Sequence, residues 1–410
     1  MSDKPDTMTI DEQVEYLMQG TEYGDDALRE AMAQELRARL IEAQGENRPL
    51  RVYAGFDPRT SDLHLGHTVP MRKLRQFQEL GHEVTFLVGN YTSLIGDPSD
   101  KDRLRPQLTP DEVEHNARTY AEQAYKIMDR DKTLIRYNAT WLSKLNFAEL
   151  IQLASNFTLQ QFVSRENFRL RWEKGDPIYL HETFYAIMQG YDAYAMHSDV
   201  QVGGTDQLFN IITAARKLMT SLGDKPNIGV ILGILPGTDG EIKMSKSLGN
   251  HIPLLSDPED MYGKVMSVPD KAMGQYFRLV TRWTPPQIHK IESGLSEGRL
   301  HPRDVKMQLA REIVSIYYSP AQASQAEAEF VRVFQQGDLP DEMPQFQLKD
   351  GLTVLEVLVD SGLVSSKSEG RRLLSQNAVR LDGALLKEPH QVFPGPGVLQ
   401  VGRRRYLRVL

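Results

Sequence analysis

Two short segments hold residue types suited to a polyphosphate. His64-Leu65-Gly66-His67 follows the Asp57-Pro58 end of an apolar run and opens a helical stretch. A helix N-terminus offers free backbone N–H groups and a positive dipole end to an anion. Histidines three apart share a helical face, so both can donate to phosphate oxygens. Gly66 lets a flat base or ribose come close to the backbone. Taken alone, the pair also fits helix-end histidines, or two metal ligands lacking a third. Lys243-Met244-Ser245-Lys246-Ser247 lies in a loop that also holds Gly237 and Gly240. Two ammonium groups on a movable loop suit the charge that develops on a leaving pyrophosphate. A solvated basic loop is the plain alternative.

These residues need a scaffold, and the hydrophobic pattern supplies one. Residues 9–45 read as helix, 50–56 as a buried strand, 66–80 as helix and 83–88 as a second strand. Residues 110–129 read as helix, 133–136 as a third strand and 138–200 as mostly helical. Short strands at 200–202 and 229–232 flank a helix over 206–220. Strands alternating with helices predict an α/β fold with a parallel sheet, whose ligands bind beyond the strand carboxyl ends. After the loop at 236–250, residues 256–335 read as helical with no strand. Residues 337–344, GDLPDEMP, read as linker, and the last ~65 residues as a compact α/β unit.

Composition narrows the class. The chain has 410 residues, 40% hydrophobic and 25% charged, which is an ordinary globular mix and implies two to four domains. With no cysteine, disulfide frameworks, thiolate–zinc sites and thiol nucleophiles are excluded. Ten histidines include no HExxH pattern, so no protein-held metal is expected. No apolar run approaches the ~18 residues of a membrane span, and the N-terminus lacks a secretion-signal layout. A cytoplasmic protein without membrane contact is the expectation. The net charge is −7, yet the segment from Phe346 onward carries ten basic and six acidic residues. With +4 there, the remainder carries −11, an asymmetry that hints at a nucleic-acid-facing tail.

Both signatures occur complete and in order, with 176 positions from His67 to Lys243. In this the chain resembles the class I aminoacyl-tRNA synthetases. Three more segments narrow the likeness: Val52-Tyr53-Ala54-Gly55-Phe56-Asp57-Pro58; Thr92 with Gly96-Asp97-Pro98-Ser99; and residues 182–207 with Tyr185, Gln189, Asp192 and Gln201-Val202-Gly203-Gly204-Thr205-Asp206-Gln207. Over nearly the whole chain the pattern is similar to the tyrosyl-tRNA synthetases. The resemblance implies a Rossmann-like catalytic domain, an α-helical domain and a small α/β RNA-binding domain. It also implies ATP and L-tyrosine as substrates, Mg2+ with the ATP phosphates, a tRNA for tyrosine as partner, and a homodimer built through 120–200.

Residue by residue, the resemblance assigns catalysis to His64, His67, Lys243 and Lys246. It assigns tyrosine binding to Tyr53, Thr92, Asp97, Tyr185, Gln189, Asp192 and Gln207. ATP binding falls to Gly55, Asp57, Gly66, Gly204 and Asp206 with the four catalytic residues, and Gln201 is placed near the carboxylate or phosphate. Tyr53 and Asp192 would read a phenol; Tyr185, Gln189 and Asp192, at i, i+4 and i+7, share one helix face. Arg59 stands where the family usually has threonine, with Thr60 next, and Asp100 where relatives often have glycine. The tail resembles a small RNA-binding module first seen in a ribosomal protein, with Lys367, Arg371, Arg372, Arg403, Arg404, Arg405 and Arg408 as phosphate contacts. The domains implied are 1–235 catalytic, 236–336 signature loop and helical region, 337–347 linker, and 348–410 RNA-binding. A tryptophan-specific relative, a nucleotidyltransferase sharing the histidine motif, and a non-catalytic RNA-binding relative are the competing readings.

Overall fold

Five strands, β1 (Arg51–Phe56), β2 (Glu83–Val88), β3 (Thr133–Tyr137), β4 (Val200–Gly204) and β5 (Ile228–Leu232), form an all-parallel sheet. Their order is β3–β2–β1–β4–β5. The computed structural model describes residues 8–58, 62–98, 109–336, 343–349, 351–402 and 405–410. The chain divides into two compact units, Met1–Ser324 and Gln325–Leu410. The sheet belongs to the first. All of β5 and the last five residues of β2 are buried, as strands covered on both faces should be. β3, at the edge, is half exposed. The chain winds outward from β1 one way and from β4 the other, leaving a crevice at their carboxyl ends.

The first stretch differs from the single helix expected over 9–45. Two helices, Ile10–Met18 and Asp26–Gly45, are separated by Gly20 (φ 76°) and Gly24 (φ 69°). The break has work on the free edge of β5: Thr21 bridges Leu232, and the Glu22 N–H donates to the Ile231 carbonyl at 2.8 Å. The strip thereby covers an edge that would otherwise present unpaired backbone groups.

Between β3 and β4 lie five helices, of which Glu166–Lys174 and Leu180–Ala195 are joined by a buried ion pair. Arg171 donates to Glu182 at 2.6 Å and also to the Pro177 carbonyl, with both side chains nearly inaccessible. Replacing Arg171 by leucine strands the Glu182 carboxylate, at a cost of about 3–5 kcal/mol. A urea-unfolding midpoint is expected to fall accordingly, and Arg171→Leu with Glu182→Leu to recover most of it. The helix expected over 206–220 is irregular: a 3₁₀ turn (Thr205–Gln207), a π-helical segment (Phe209–Ala215) and a short α-helix (Arg216–Ser221).

Past β5 the first unit is helical, as expected: Pro258–Met266, Met273–Val280, Pro285–Ser296 and Pro302–Tyr317. Three of these open on proline, whose missing N–H costs nothing at a helix start.

In the second unit, β6 (Gln345–Phe346), β7 (Val379–Leu381), β8 (Ala384–Leu385), β9 (Gly397–Val401) and β10 (Arg405–Val409) form a sheet of order β6–β10–β9–β7–β8. Helices Val354–Asp360 and Lys367–Ser375 bring Val354, Leu358 and Leu374 onto Leu399 and Leu407 in its core. β6 falls inside the segment expected as linker to residue 347. It pairs with β10, and Pro344 accepts from the Arg408 N–H at 2.8 Å, so the folded unit starts before 348. Residues 337–342 of that linker lie outside the described residues.

Candidate active site

Tyr53, third in β1, and Asp192, on helix Leu180–Ala195, are both almost wholly buried. Burial, with Asp192 nearby, holds the Tyr53 phenol well above its ordinary pKa. Its hydroxyl has no hydrogen-bond partner among the described residues. Asp192 accepts from Trp141 Nε1 at 2.7 Å and from Asn138 Nδ2 at 3.2 Å. Burial nevertheless pushes its carboxyl up to about 7, against those two bonds. A buried donor without a partner beside a strained carboxyl is the complement of a phenol that both accepts and donates.

From Asp192 a chain of bonds runs toward the strand ends. Asn138 Nδ2 also donates to Thr92 Oγ1 (3.1 Å), Thr92 donates to Asp57 Oδ1 (2.9 Å), and the Tyr185 hydroxyl donates to Asp57 Oδ2 (3.1 Å). A Cβ at Gly89 would lie 2.2 Å from Asp57 Oδ1 and 2.5 Å from Thr92 Oγ1, so a larger residue there would displace the Thr92–Asp57 bond. A second chain joins Gln207 Nε2 to Asp97 (2.5 Å), and Asn210 Nδ2 to Gln207 (3.0 Å) and Gln189 (2.9 Å). All seven residues assigned to tyrosine thus sit in two connected networks or at the Tyr53–Asp192 end. Asn138, Trp141 and Asn210 complete them and were not singled out from sequence. Gln201, the second residue of β4, stands beside Tyr53 in the sheet register and accepts from Asn227 Nδ2 at 2.9 Å.

Because Asp192 titrates near neutrality, tyrosine binding carries a pH signature. The carboxylate is the better acceptor for a substrate hydroxyl, so affinity should rise about tenfold from pH 6 to 8, as expected for a group titrating near 7. The profile should flatten in Asp192→Asn; equilibrium dialysis with labelled tyrosine reads it. The sign for stability is opposite: a pKa raised from 3.8 to about 7 makes the fold less stable as pH rises through that window.

In the histidine motif, His64 to His67 form a 3₁₀ turn rather than the start of an α-helix. Three residues per turn eclipses positions i and i+3. The two rings accordingly stack, with centroids 3.7 Å apart. His67 Nδ1 accepts from the His64 backbone N–H at 3.2 Å, which leaves the proton on Nε2. Burial, then His67, His251 and the two lysines, lowers His64 to about 3; burial and the same lysines lower His67 to about 4. Both rings are neutral at pH 7. They can donate hydrogen bonds but supply no charge. His64 Nδ1 is buried without a partner among the described residues.

Gly55 and Gly204 border the same crevice. A Cβ at Gly55 would meet only Leu87 Cδ2 at 3.9 Å, so packing does not demand glycine there. At Gly204 it would lie 2.5 Å from Asp206 Oδ1, and at Gly66 it would lie 3.1 Å from the His64 ring.

The lysine loop is built around Asn250, a residue the sequence reading passed over. Its side-chain oxygen accepts from the Ser245 N–H at 2.8 Å, its amide donates to Asp239, and its carbonyl accepts from the Thr238 N–H at 2.8 Å. The chain then crosses to the histidine turn. Leu65 N–H donates to the Ile252 carbonyl (2.9 Å) and Leu254 N–H to the Leu63 carbonyl (3.0 Å). Lys246 Nζ sits 2.6 Å from Asp62, and Lys243 Nζ 3.8 Å from Asp206. These are half-exposed pairs, worth about 0–1 kcal/mol, so a polyphosphate can take the lysines from them.

In the second unit, Lys367, Arg371 and Arg372 are exposed on helix Lys367–Ser375, and Arg408 is exposed on β10. Arg405 is not open in the same way. It donates to Glu369 at 3.0 Å and to the Leu363 carbonyl, while Glu369 caps the helix through the Ser365 N–H at 2.8 Å. Arg59, Thr60, Asp100, Arg403 and Arg404 lie outside the described residues.

Comparison with known proteins identifies the family. The family described as tRNA synthetases class I (W and Y) matches residues 45–335. A tyrosine–tRNA ligase of Moorella thermoacetica is 46% identical over 380 residues, 92% of each chain. One of Thermotoga maritima is 45% identical over 362 residues, 88% of this chain and 90% of that one. Among solved structures, the tyrosyl-tRNA synthetase of Archaeoglobus fulgidus complexed with L-tyrosine superposes with a TM-score of 0.60 at 22% identity, covering 78% of this chain and all of that one. The tryptophanyl-tRNA synthetase of Plasmodium falciparum gives 0.52 at 14% identity, covering 71% and 80%. The structural likenesses establish the fold, and the sequence relatives go further: this chain belongs to the class I aminoacyl-tRNA synthetases, among the tyrosine–tRNA ligases.

Proposed function

We propose that the chain activates L-tyrosine with ATP and transfers the tyrosyl group to the 3′ end of its tRNA. The observation that carries the amino-acid choice is the unpartnered Tyr53 hydroxyl beside Asp192. In the first step a tyrosine carboxylate oxygen attacks the α-phosphorus in line. The bond to the bridging oxygen breaks, and pyrophosphate leaves with that electron pair. No covalent enzyme intermediate is required, so the residues act by positioning and by stabilising charge. Asp97, Tyr185 and Gln189 would hold the substrate ammonium, with Thr92 and Asp57 behind them and Gln207 toward the carboxylate. Gly55, Gly66, Gly204 and Asp206 would line the nucleoside, and neutral His64 and His67 would donate to phosphate oxygens. Lys243 and Lys246 would bring the positive charge. Magnesium belongs with the ATP phosphates in this reading, neutralising them while keeping water ligands. Among the described residues no group of three or more His, Cys, Asp or Glu could hold a metal ion by itself.

Exposed Lys367, Arg371 and Arg372 would contact tRNA phosphates, with affinity falling as salt rises. Phe147, Ile151, Leu159, Trp172 and Leu180 are large apolar side chains left more than half exposed, within the stretch where a second copy is expected. A homodimer covering them would double the 46.6 kDa chain mass in sedimentation equilibrium. No helix among the described residues is long and apolar enough to cross a membrane. A cytoplasmic location is part of the same proposal.

Pyrophosphate exchange into ATP, run with each of the twenty amino acids, tests the reading. Exchange with tyrosine alone supports it. Exchange with tryptophan would move the chain to the sister specificity, and exchange with none would favour an RNA-binding relative.

A further inference from the structure

The histidine turn is held by a residue that reaches it from the helical region. Thr68, directly after His67, is fully buried. Its Oγ1 donates to the Leu65 carbonyl at 2.7 Å. A threonine hydroxyl has one proton, and that bond uses it. The 2.9 Å contact between Thr68 Oγ1 and the Tyr317 hydroxyl must therefore have the phenol as donor. Tyr317 is the last residue of helix Pro302–Tyr317 and is 5% exposed. Nearby, Arg72 of helix Thr68–Glu79 donates to the Thr281 carbonyl at 3.3 Å, a second tie between the same regions. Leu65 is thus held through both backbone groups, its N–H on Ile252 and its carbonyl under the Thr68–Tyr317 pair. It lies inside the motif, between His64 and His67 in sequence. A single 3₁₀ turn has poor hydrogen-bond geometry of its own, so such outside support decides where the rings stand.

We infer that Tyr317 is a positioning residue for tyrosine activation: through Thr68 it fixes the turn that aims His67 at the nucleotide. This rests on the reading that His67 donates to ATP during adenylate formation. Small displacements of a donor cost large factors in rate, because pre-set geometry is what the site contributes.

The test is a double-mutant cycle in tyrosine-dependent pyrophosphate exchange, using Tyr317→Phe, His67→Ala and both together. Tyr317→Phe is expected to lower kcat about tenfold while the equilibrium constant for tyrosine stays within about twofold. In the His67→Ala background the same change should have an effect of about twofold or less, because its target is gone. Thr68→Val removes that bond together with the one to the Leu65 carbonyl, so its loss should be at least as large, and Tyr317→Phe should add little to it. Thermal unfolding of each variant accompanies the assay, and Thr68→Val serves if Tyr317→Phe folds poorly. An unchanged kcat in both variants, or a Tyr317→Phe loss carried undiminished into His67→Ala, would overturn the inference. Absence of exchange in the unaltered protein would instead strike the parent reading.

Discussion

Replacing Lys243 and Lys246 together by alanine is expected to reduce tyrosine-dependent pyrophosphate exchange by at least about 10²-fold, the scale for removing one preorganised charge donor. The argument begins with what is left behind. His64 and His67 are lowered to about 3 and about 4, so they remain neutral and cannot replace a lost cation. Arg165, the buried cation toward Asp97 and Tyr185, lies against Phe168 and Phe209. Equilibrium binding of tyrosine should be unaffected, because the networks around Asp192 and Asp97 contain neither lysine. Binding of tRNA should persist, because the basic surface proposed for it belongs to the second unit. Exchange that stays within threefold of the unaltered protein would remove the lysine loop from the chemistry.

A comparably large effect is expected at the other end of the substrate, on discrimination between tyrosine and phenylalanine. Enzymes of the tyrosyl family are themselves the known case of rejection by about 10⁵ without editing; that magnitude belongs to the family and is not read from this structure. Here the proposed physical source is two buried groups, the unpartnered Tyr53 hydroxyl and the Asp192 carboxyl, to which phenylalanine would offer no hydroxyl to bond. Asp192→Asn keeps an oxygen for Trp141 but removes the charge. A hydrogen bond to a charged group contributes about 1.5–3 kcal/mol, so the kcat/KM ratio for tyrosine over phenylalanine should fall on the order of 10–100-fold. Tyr53→Phe removes a neutral donor and should cost about tenfold or less. Parallel exchange assays with the two amino acids measure both. An unchanged ratio in both variants would mean that the phenol is read elsewhere.

These residues could be found in sequence because their chemistry is unusual in its place. Two histidines at a helix start and two lysines in a glycine-containing loop are visible without a fold. Asn138 and Trp141 were not, since they sit in a helical stretch where one asparagine and one tryptophan have no telling spacing. Only the folded chain brings them onto Asp192, some fifty residues later. Asn250 has a similar history: its neighbours in the lysine motif drew attention, while its own role is to tie Ser245, Thr238 and Asp239 together. The alternation of strands and helices was enough to predict the parallel sheet, because buried parallel strands are continuous apolar runs. Finer geometry was not accessible that way. The pattern of 3.6 continues across Gly20–Gly24, so the break there showed only as two glycines. The 3₁₀ turn at His64–His67 and the π-helical Phe209–Ala215 keep apolar faces close to those of an α-helix. Arg405 looked like its basic neighbours until Glu369 was found beside it.

The lysine loop leaves from the end of β5 and returns to the histidine turn, where Ile252 and Leu254 are fastened to Leu65 and Leu63. It is therefore a tether anchored at both ends. The amines on such a tether stay near the histidine turn; a short tether presents them there at an effective concentration on the order of millimolar. A free amine supplied in solution would have to reach that concentration before it met the triphosphate as often. The loop can consequently afford lysines that rest on weak, half-exposed carboxylates, because keeping them nearby is the task of the anchors and not of the ion pairs.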